Sequence, residues 1–302
     1  MSIIDCIGNT PLVRVDNINP NPKVTIYAKL EGNNPGGSIK DRTALYMIAA
    51  AEREGLLTRD RIILEATSGN TGIGLAMVAA AKRYRCKLVM PGCVSIERRK
   101  VLEAFGAEII ISPANEGTDG AIRLAHQIYA ETPDRYFMPN QFDNPANILA
   151  HYETTGRELI EQTKGAITHF MAGMGTTGTL MGVGRRLKEF NPGIRVIGVE
   201  PVKGHRVQGL KNMEEAIIPQ IFNPGELDAR IIVNDEEAFD TTRKLALQEG
   251  IFVGMSSGAV MHAAIRTSSE LTDGVIAVIF PDRGDRYLST ALFTSVCGKC
   301  PP

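Results

Sequence analysis

A chain of 302 residues, 43% hydrophobic and 22% charged, is long enough for two sub-domains around a substantial core. Its 33 Lys and Arg stand against 34 Asp and Glu, and this near-neutral balance gives no reason to expect nucleic acid or a membrane as partner. Five cysteines are too few for a disulfide framework, no apolar run approaches the ~20 residues of a bilayer span, and MSIIDCIGNTPLVRV lacks a signal peptide's basic and apolar regions; a cytoplasmic protein is expected.

Strand and helix patterns alternate along the chain. VTIYAKL (24–30) reads as a strand. The turn-forming run GNNPGGSIKDR (32–42) follows, with Ser38 placed to cap the helix that TALYMIAAAE predicts. Lys40 then sits in a first helical turn, where the helix dipole disfavours a cation and favours the neutral, nucleophilic amine. On this segment alone, the competing reading is an ordinary exposed lysine beside Asp41 and Arg42. Next come the strand RIILEA (61–66), the polar turn EATSGNTGIGLA (65–76) opening a helix, and then KLVMP, SIERRKVLEAFG, EIIIS and GAIRLAHQIYAE. QFDNPANILAHYETTGRELIEQ breaks the rhythm after residue 140. THFMA, the glycine-rich turn AGMGTTGTLMGVG (172–184), RVIGVE, EEAFDTTRKLALQEG, GMSSGAV, VIAVIF and PDRGDRYLST restore it. The alternation predicts an α/β fold of mostly parallel sheets with helices on both faces, in two halves with a ligand cleft between them.

Two polar turns stand where such folds bind ligands. Thr67, Ser68, Asn70 and Thr71 place four short polar side chains beside helix N-terminal amides, which suits a carboxylate or another small anion; a plain capped turn uses the same residue types. Further on, Gly173, Gly175 and Gly178 match G-x-G-x-x-G, and Glu200 ends the next strand some 20 residues later, so an NAD-dependent dehydrogenase is a competing reading. Thr176, Thr177 and Thr179 load the same turn with hydroxyls, which suit a terminal phosphate better than a pyrophosphate held by bare backbone. Ser256 and Ser257 in GMSSGAV read alone as helix caps. Cys6, Cys86 and Cys93 read as small hydrophobes. CGKC (297–300) has redox or zinc-site spacing without a second pair near it and reads as a tail. His126, His151, His169 and His262 show no metal spacing and receive no role, and ERRK (97–100) reads as a solvated helix face.

Taken together, IGNTPLVRV, GGSIKDR, TSGNTG, GMGTTGT, GMSSGA and GDRYLST closely resemble the cysteine synthases (O-acetylserine sulfhydrylases) of the pyridoxal-phosphate β-family, in order and spacing, from residue 7 to about residue 293. The resemblance implies fold type II, two doubly wound sheets as in tryptophan synthase β-like enzymes. It divides the chain into a smaller, mobile domain over 38–145 and a larger one over 1–37 and 146–302, with pyridoxal 5'-phosphate between them. It makes Lys40 the Schiff-base lysine and the base toward the substrate α-proton. Gly175, Thr176, Thr177, Gly178 and Thr179 would bind the cofactor phosphate, and Asn70 the pyridoxal hydroxyl. Thr67, Ser68, Thr71 and Gln141 would hold the substrate carboxylate. Ser256 would face the pyridine nitrogen, with Asp282 as the alternative; a serine hydroxyl leaves the ring a weaker electron sink than a carboxylate would, which suits expulsion of a β-substituent.

DRGDRYLST is similar to the B-type enzymes, and GLKNMEEAIIPQIF (209–222) to the B-type branch that accepts O-phosphoserine. An arginine in that branch's motif recognises the substrate phosphate; here Lys211 keeps the charge without the bidentate fork. Lys203, His205 and Arg206 just upstream either add positive charge or form a solvated loop. The implied reaction is β-replacement of the activated hydroxyl of O-acetylserine by sulfide, through an aminoacrylate, to give L-cysteine, with O-phosphoserine or thiosulfate as alternative substrates. Cystathionine β-synthase, diaminopropionate synthase and serine or threonine dehydratase share the Lys40 chemistry, and a non-catalytic pyridoxal-phosphate-binding regulator is a third class. The family implies a homodimer without metal, and the B-type resemblance argues against a complex with serine acetyltransferase.

Overall fold

The computed structural model describes residues 1–67, 69–92 and 96–293. Its first half runs β1 (Leu12–Val15), β2 (Val24–Leu30), α1 (Lys40–Arg53), β3 (Ile62–Ala66), α2 (Asn70–Lys82), β4 (Arg85–Pro91), α3 (Ile96–Ala104), β5 (Glu108–Ser112), α4 (Gly117–Glu131) and β6 (Tyr136–Phe137). The segment that breaks the sequence rhythm is helical: α5 (Pro145–Ala150), a π turn over His151–Thr155 and α6 (Gly156–Gln162). The second half runs β7 (His169–Gly173), α7 (Gly178–Phe190), β8 (Arg195–Pro201), β9 (Ala229–Val233), α8 (Asp235–Glu249), α9 (Met255–Glu270) and β10 (Gly274–Phe280).

The strands form two sheets, as the alternation predicts. One has the order β5-β4-β3-β6 and is parallel throughout; the other has the order β1-β2-β10-β7-β8-β9 and is parallel except for the β1-β2 pair. Apolar side chains of α1 and α2 pack on one face of the smaller sheet and those of α4 on the other. The larger sheet is covered by α8 and α9 on one face and α6 and α7 on the other. β3 is buried at every position, as a central strand with both faces covered must be. The sequence reading omits β1, β6 and β9. β6 has two residues, and β9 is an edge strand whose Arg230 and Ile232 face solvent, so neither makes a long apolar run. No helix among the described residues is long and apolar enough to cross a membrane.

A buried charge cluster fixes the start of α1. Arg42 Nε and Nη2 donate to Glu31 at 2.8 and 2.9 Å, and Nη1 and Nη2 to Glu158 at 2.5 and 2.8 Å, while Lys29 Nζ lies 2.7 Å from Glu158. Two cations against two carboxylates leave the cluster balanced, which a buried group of charges requires. The IGNTPL stretch roofs it: Asn9 N–H donates to Glu158 at 3.0 Å and Thr10 Oγ1 to Glu31 at 2.7 Å. Gly8 has φ +98°, and a Cβ there would lie 3.0 Å from Arg42 Nη1, so the roof needs glycine at this position.

Candidate active site

The loops after β2, β3, β7 and β10 and the start of α9 close around one cavity of about 620 Å³. It lies beyond the C-terminal ends of parallel strands, where α/β folds place ligands. Lys40, the first residue of α1, is half-buried in its wall. Ser38 is one residue too early to be the helix's terminal cap; Ile39 holds that position, and Ser38 Oγ instead accepts the Lys40 N–H at 3.2 Å. Burial of the Lys40 ammonium lowers its pKa to about 8, against the opposing pull of the Asp282 carboxylate. The surface-lysine reading is thereby replaced: Asp41 and Arg42, its neighbours, are both wholly buried.

The turn after β3 supplies the second wall. Thr67 Oγ1 accepts N–H bonds from Gly69 and Gly72 at 3.2 and 3.1 Å, which leaves its own hydrogen for a ligand. Thr71 donates to Gln141 Oε1 at 2.6 Å, bringing together two residues 70 positions apart. The Gln141 turn is anchored from below by Glu65, whose carboxylate accepts the backbone N–H of Asn140 at 2.8 Å and of Gln141 at 3.4 Å. Burial pushes Glu65 up to about 7 despite those bonds. Ser68 lies outside the described residues.

Asn70 is oriented at both ends. Its Nδ2 donates to Asp282 Oδ2 at 2.6 Å, its Oδ1 accepts from Arg286 Nη1, and Arg286 Nη2 reaches the Gly36 carbonyl of the loop before Lys40. Tyr287 also donates to Asp282, at 2.6 Å. Asp282 therefore belongs to the Asn70 and Lys40 end of the cavity. Ser256, in the first turn of α9, is buried and lines the cavity close to Gly209.

The turn after β7 has the form of a phosphate cradle. Gly175, Thr176, Thr177 and Thr179 line the cavity, at the N-terminus of α7 where backbone N–H groups lack helical partners. Thr177 has φ +66°, a left-handed conformation unusual for a β-branched residue. A Cβ on Gly175 would meet the Gly209 carbonyl at 2.6 Å, so glycine lets the 205–211 loop cross beside the cradle. Gly178 is not part of the cavity wall; it packs against Asn147 behind the loop. A hydroxyl-rich helix N-terminus at one end and a lysine with a lowered pKa at the other fit the phosphate and the carbonyl of pyridoxal phosphate.

The dinucleotide reading loses its acid here: Glu200 is buried and accepts the Met213 N–H at 2.7 Å instead of facing the cavity. Lys211 does line the cavity, its ammonium 4.5 Å from the Phe142 ring centre, and desolvation lowers its pKa against the pull of Asp119. Lys203 pairs with Glu214 at 2.6 Å on the exposed surface and does not line the cavity, whereas His205 and Arg206 do line it, Arg206 with Asp235 at 3.0 Å. Sequence reasoning gave no role to Arg286, Glu65, Asn147 or His151, all of which touch cavity residues; only the place of Arg286 within GDRYLST was a pointer. Cys93, Cys297 and Cys300 lie outside the described residues.

Comparison with known proteins agrees with this geometry. The model of the pyridoxal-phosphate dependent enzyme family matches residues 3–282. The chain is 49% identical over 301 residues to a cysteine synthase of Aquifex aeolicus, covering 97% of this chain and 92% of that protein. It is 45% identical over 292 residues to cysteine synthase B of Pseudomonas aeruginosa, covering 97% of each. The crystal structure of O-ureido-L-serine synthase superposes with a TM-score of 0.93 at 40% identity, covering 99% of this chain and 96% of that one. With likeness of this degree along almost its entire length, the chain belongs to the pyridoxal-phosphate dependent enzymes and, among them, to the cysteine synthase family.

Proposed function

We propose that this cleft makes L-cysteine by replacing the acetoxy group of O-acetylserine with sulfide, and that the cavity residues divide the work as the motifs imply. The observation that carries the reading is Lys40, a lysine with a pKa lowered to about 8, in one cavity with the threonine cradle and the Thr67–Thr71 turn. Pyridoxal phosphate, when bound, supplies a carbonyl that condenses with amines and a conjugated ring that stabilises negative charge at the substrate α-carbon. Lys40 would hold it covalently, and Gly175, Thr176, Thr177, Thr179 and Asn70 would bind its polar groups, with Gly178 admitting Asn147 behind the cradle instead of lining it. Ser256 offers the ring nitrogen a neutral hydroxyl.

The free amine of Lys40 takes the substrate α-proton at Nζ, and the resulting ammonium returns a proton later. Thr67, Ser68, Thr71 and Gln141 grip the substrate carboxylate and orient the bond to the leaving acetate. Acetate departs with the bonding pair, and hydrosulfide adds to the same β-carbon. Gripping the carboxylate draws the smaller sheet and the turn after β3 toward the larger unit and excludes water. Within the 38–145 span, α1 stays with the larger unit, to which Arg42 ties it through Glu31 and Glu158. Lys211 is assigned to the distal end of the activated serine, where one ammonium suits an ester carbonyl better than the two-point grip a phosphate prefers. The reading extends to a cytoplasmic homodimer, whose dimeric state light scattering of the purified protein tests and whose location cell fractionation tests.

The test incubates holoenzyme with O-acetylserine or O-phosphoserine, and with sulfide or thiosulfate, and separates the amino acids formed. Cysteine from O-acetylserine and sulfide, with the highest kcat/KM of the four pairs, is expected. Preference for O-phosphoserine would overturn the acetyl assignment, and no cysteine from any pair would overturn the reading.

A further inference from the structure

Behind the threonine cradle lies a row of wholly buried polar groups with no part in the reaction described above. Asn147 Nδ2 donates to the Gln141 carbonyl at 2.9 Å and to Thr176 Oγ1 at 3.0 Å, while its Oδ1 accepts from Thr43 Oγ1 at 3.2 Å. His151, in the π turn, has Nδ1 3.0 Å from Thr155 Oγ1, and Nε2 3.3 Å from Thr43 Oγ1 and 3.4 Å from Thr179 Oγ1. Both side chains are 0% exposed. Glycines make the approach possible: a Cβ on Gly178 would collide with the Asn147 amide, and one on Gly182 with the Ile148 carbonyl and His151.

The direction of each hydrogen follows from what each group can do. The Gln141 carbonyl only accepts, which fixes the Asn147 amide with Nδ2 toward it and Oδ1 toward Thr43. Thr43 has one hydroxyl hydrogen, and Oδ1 takes it. Only lone pairs of Thr43 then remain for His151, so Nε2 must carry the imidazole proton; a bare Nε2 would set lone pair against lone pair. Nδ1 accepts from Thr155. Burial, with Lys40 and Arg42 nearby, holds the His151 pKa well below its usual value, so the ring stays neutral. The one Nε2 hydrogen is shared between the lone pairs of Thr43 Oγ1 and Thr179 Oγ1, Thr176 Oγ1 accepts from Asn147, and the hydroxyl hydrogens of Thr176 and Thr179 are left for the cavity.

We infer that Asn147 and His151, the latter as its Nε2–H tautomer, are positioning residues that turn the hydroxyl hydrogens of Thr176 and Thr179 toward the cofactor phosphate. The inference rests on the assignment of this loop to the phosphate. An acceptor-rich cradle would repel a dianion; these two residues make it a donor.

The test has two parts. Nitrogen-15 NMR of the histidine-labelled protein, without and with cofactor, reads the His151 tautomer and is independent of what the loop binds; Nε2–H is expected, and Nδ1–H would overturn the inference. Cofactor affinity is then measured on apoenzyme of the wild type, His151→Leu and His151→Gln, with pyridoxal phosphate and with phosphate-free pyridoxal. His151→Leu is expected to bind pyridoxal phosphate about 10- to 100-fold more weakly with pyridoxal affinity unchanged. His151→Gln, whose amide can donate from a similar position, is expected to recover most of the loss. Wild-type affinity of His151→Leu, or equal losses for both ligands, would overturn the inference. Thr179→Val separates it from the underlying reading: if that variant binds pyridoxal phosphate as the wild type does, the phosphate assignment itself fails. Should His151→Leu not fold, the tautomer and His151→Gln decide.

Discussion

Two effects act together on the Lys40 amine. The first turn of α1 places it at the positive end of a helix dipole, and the cavity wall desolvates it. Lys40→Ala should lower kcat by at least about 10³-fold while the threonine cradle still binds cofactor, measurable by turnover and by cofactor retained after gel filtration. A variant with wild-type turnover would remove the lysine from the mechanism. Glu65 makes a different prediction. Burial raises its pKa to about 7, above the ordinary 4.5, so between those values the folded state holds a proton that the unfolded state has lost. Its contribution to stability is therefore full below about pH 4.5 and is lost as pH rises through about 7, by at most about 1.4 kcal/mol per pH unit. Glu65→Gln should flatten the urea midpoint between pH 5 and 8 relative to the wild type; parallel profiles would contradict this. Lys40 was legible in the sequence because its turn, cap and helix are local. Glu65, Asn147 and His151 were not, because each acts on a partner that only the fold brings near, as when Glu65 anchors a turn 75 residues away.

At the scale of elements, α1 is the part that must not move. It is held from one side by the Arg42 cluster and from the other by α2, where Gly74 lets the helices touch: a Cβ there would lie 2.9 Å from the Lys40 carbonyl oxygen. Gly74→Ala should cost about 1–3 kcal/mol in urea unfolding and lower kcat/KM, since the clash falls on the backbone that carries the lysine. Arg42→Met leaves Glu31 and Glu158 with one cation between them and should cost about 3–5 kcal/mol. Equal stability of Arg42→Met and wild type would mean that the cluster does not hold α1. The strands β2, β3, β4, β5, β7, β8 and β10 were readable as apolar runs, the edge strand β5 through its three consecutive isoleucines. β9 was not, because Arg230 falls within its five residues and shortens the apolar run, and the π turn was not, because its irregularity is fitted to α7 through Gly182.

For the whole molecule, composition and alternation were enough for the α/β class and the two parallel sheets. They were not enough to show that loops from both sheets and from α9 meet in one cavity, which depends on strand order. That β2 and β10, from opposite ends of the chain, lie side by side is what brings Lys40 to Asp282. The motifs pointed to more of the cavity wall than periodicity did, since most are turns at strand ends that line it. The measurement that tests the reading most directly is the visible spectrum of the purified holoenzyme, recorded before and after O-acetylserine and again after sulfide. The predicted result is a cofactor band that shifts on adding O-acetylserine and returns on adding sulfide, with cysteine formed as it returns. A band unmoved by O-acetylserine, or one that shifts and never returns with sulfide, would contradict a cysteine synthase.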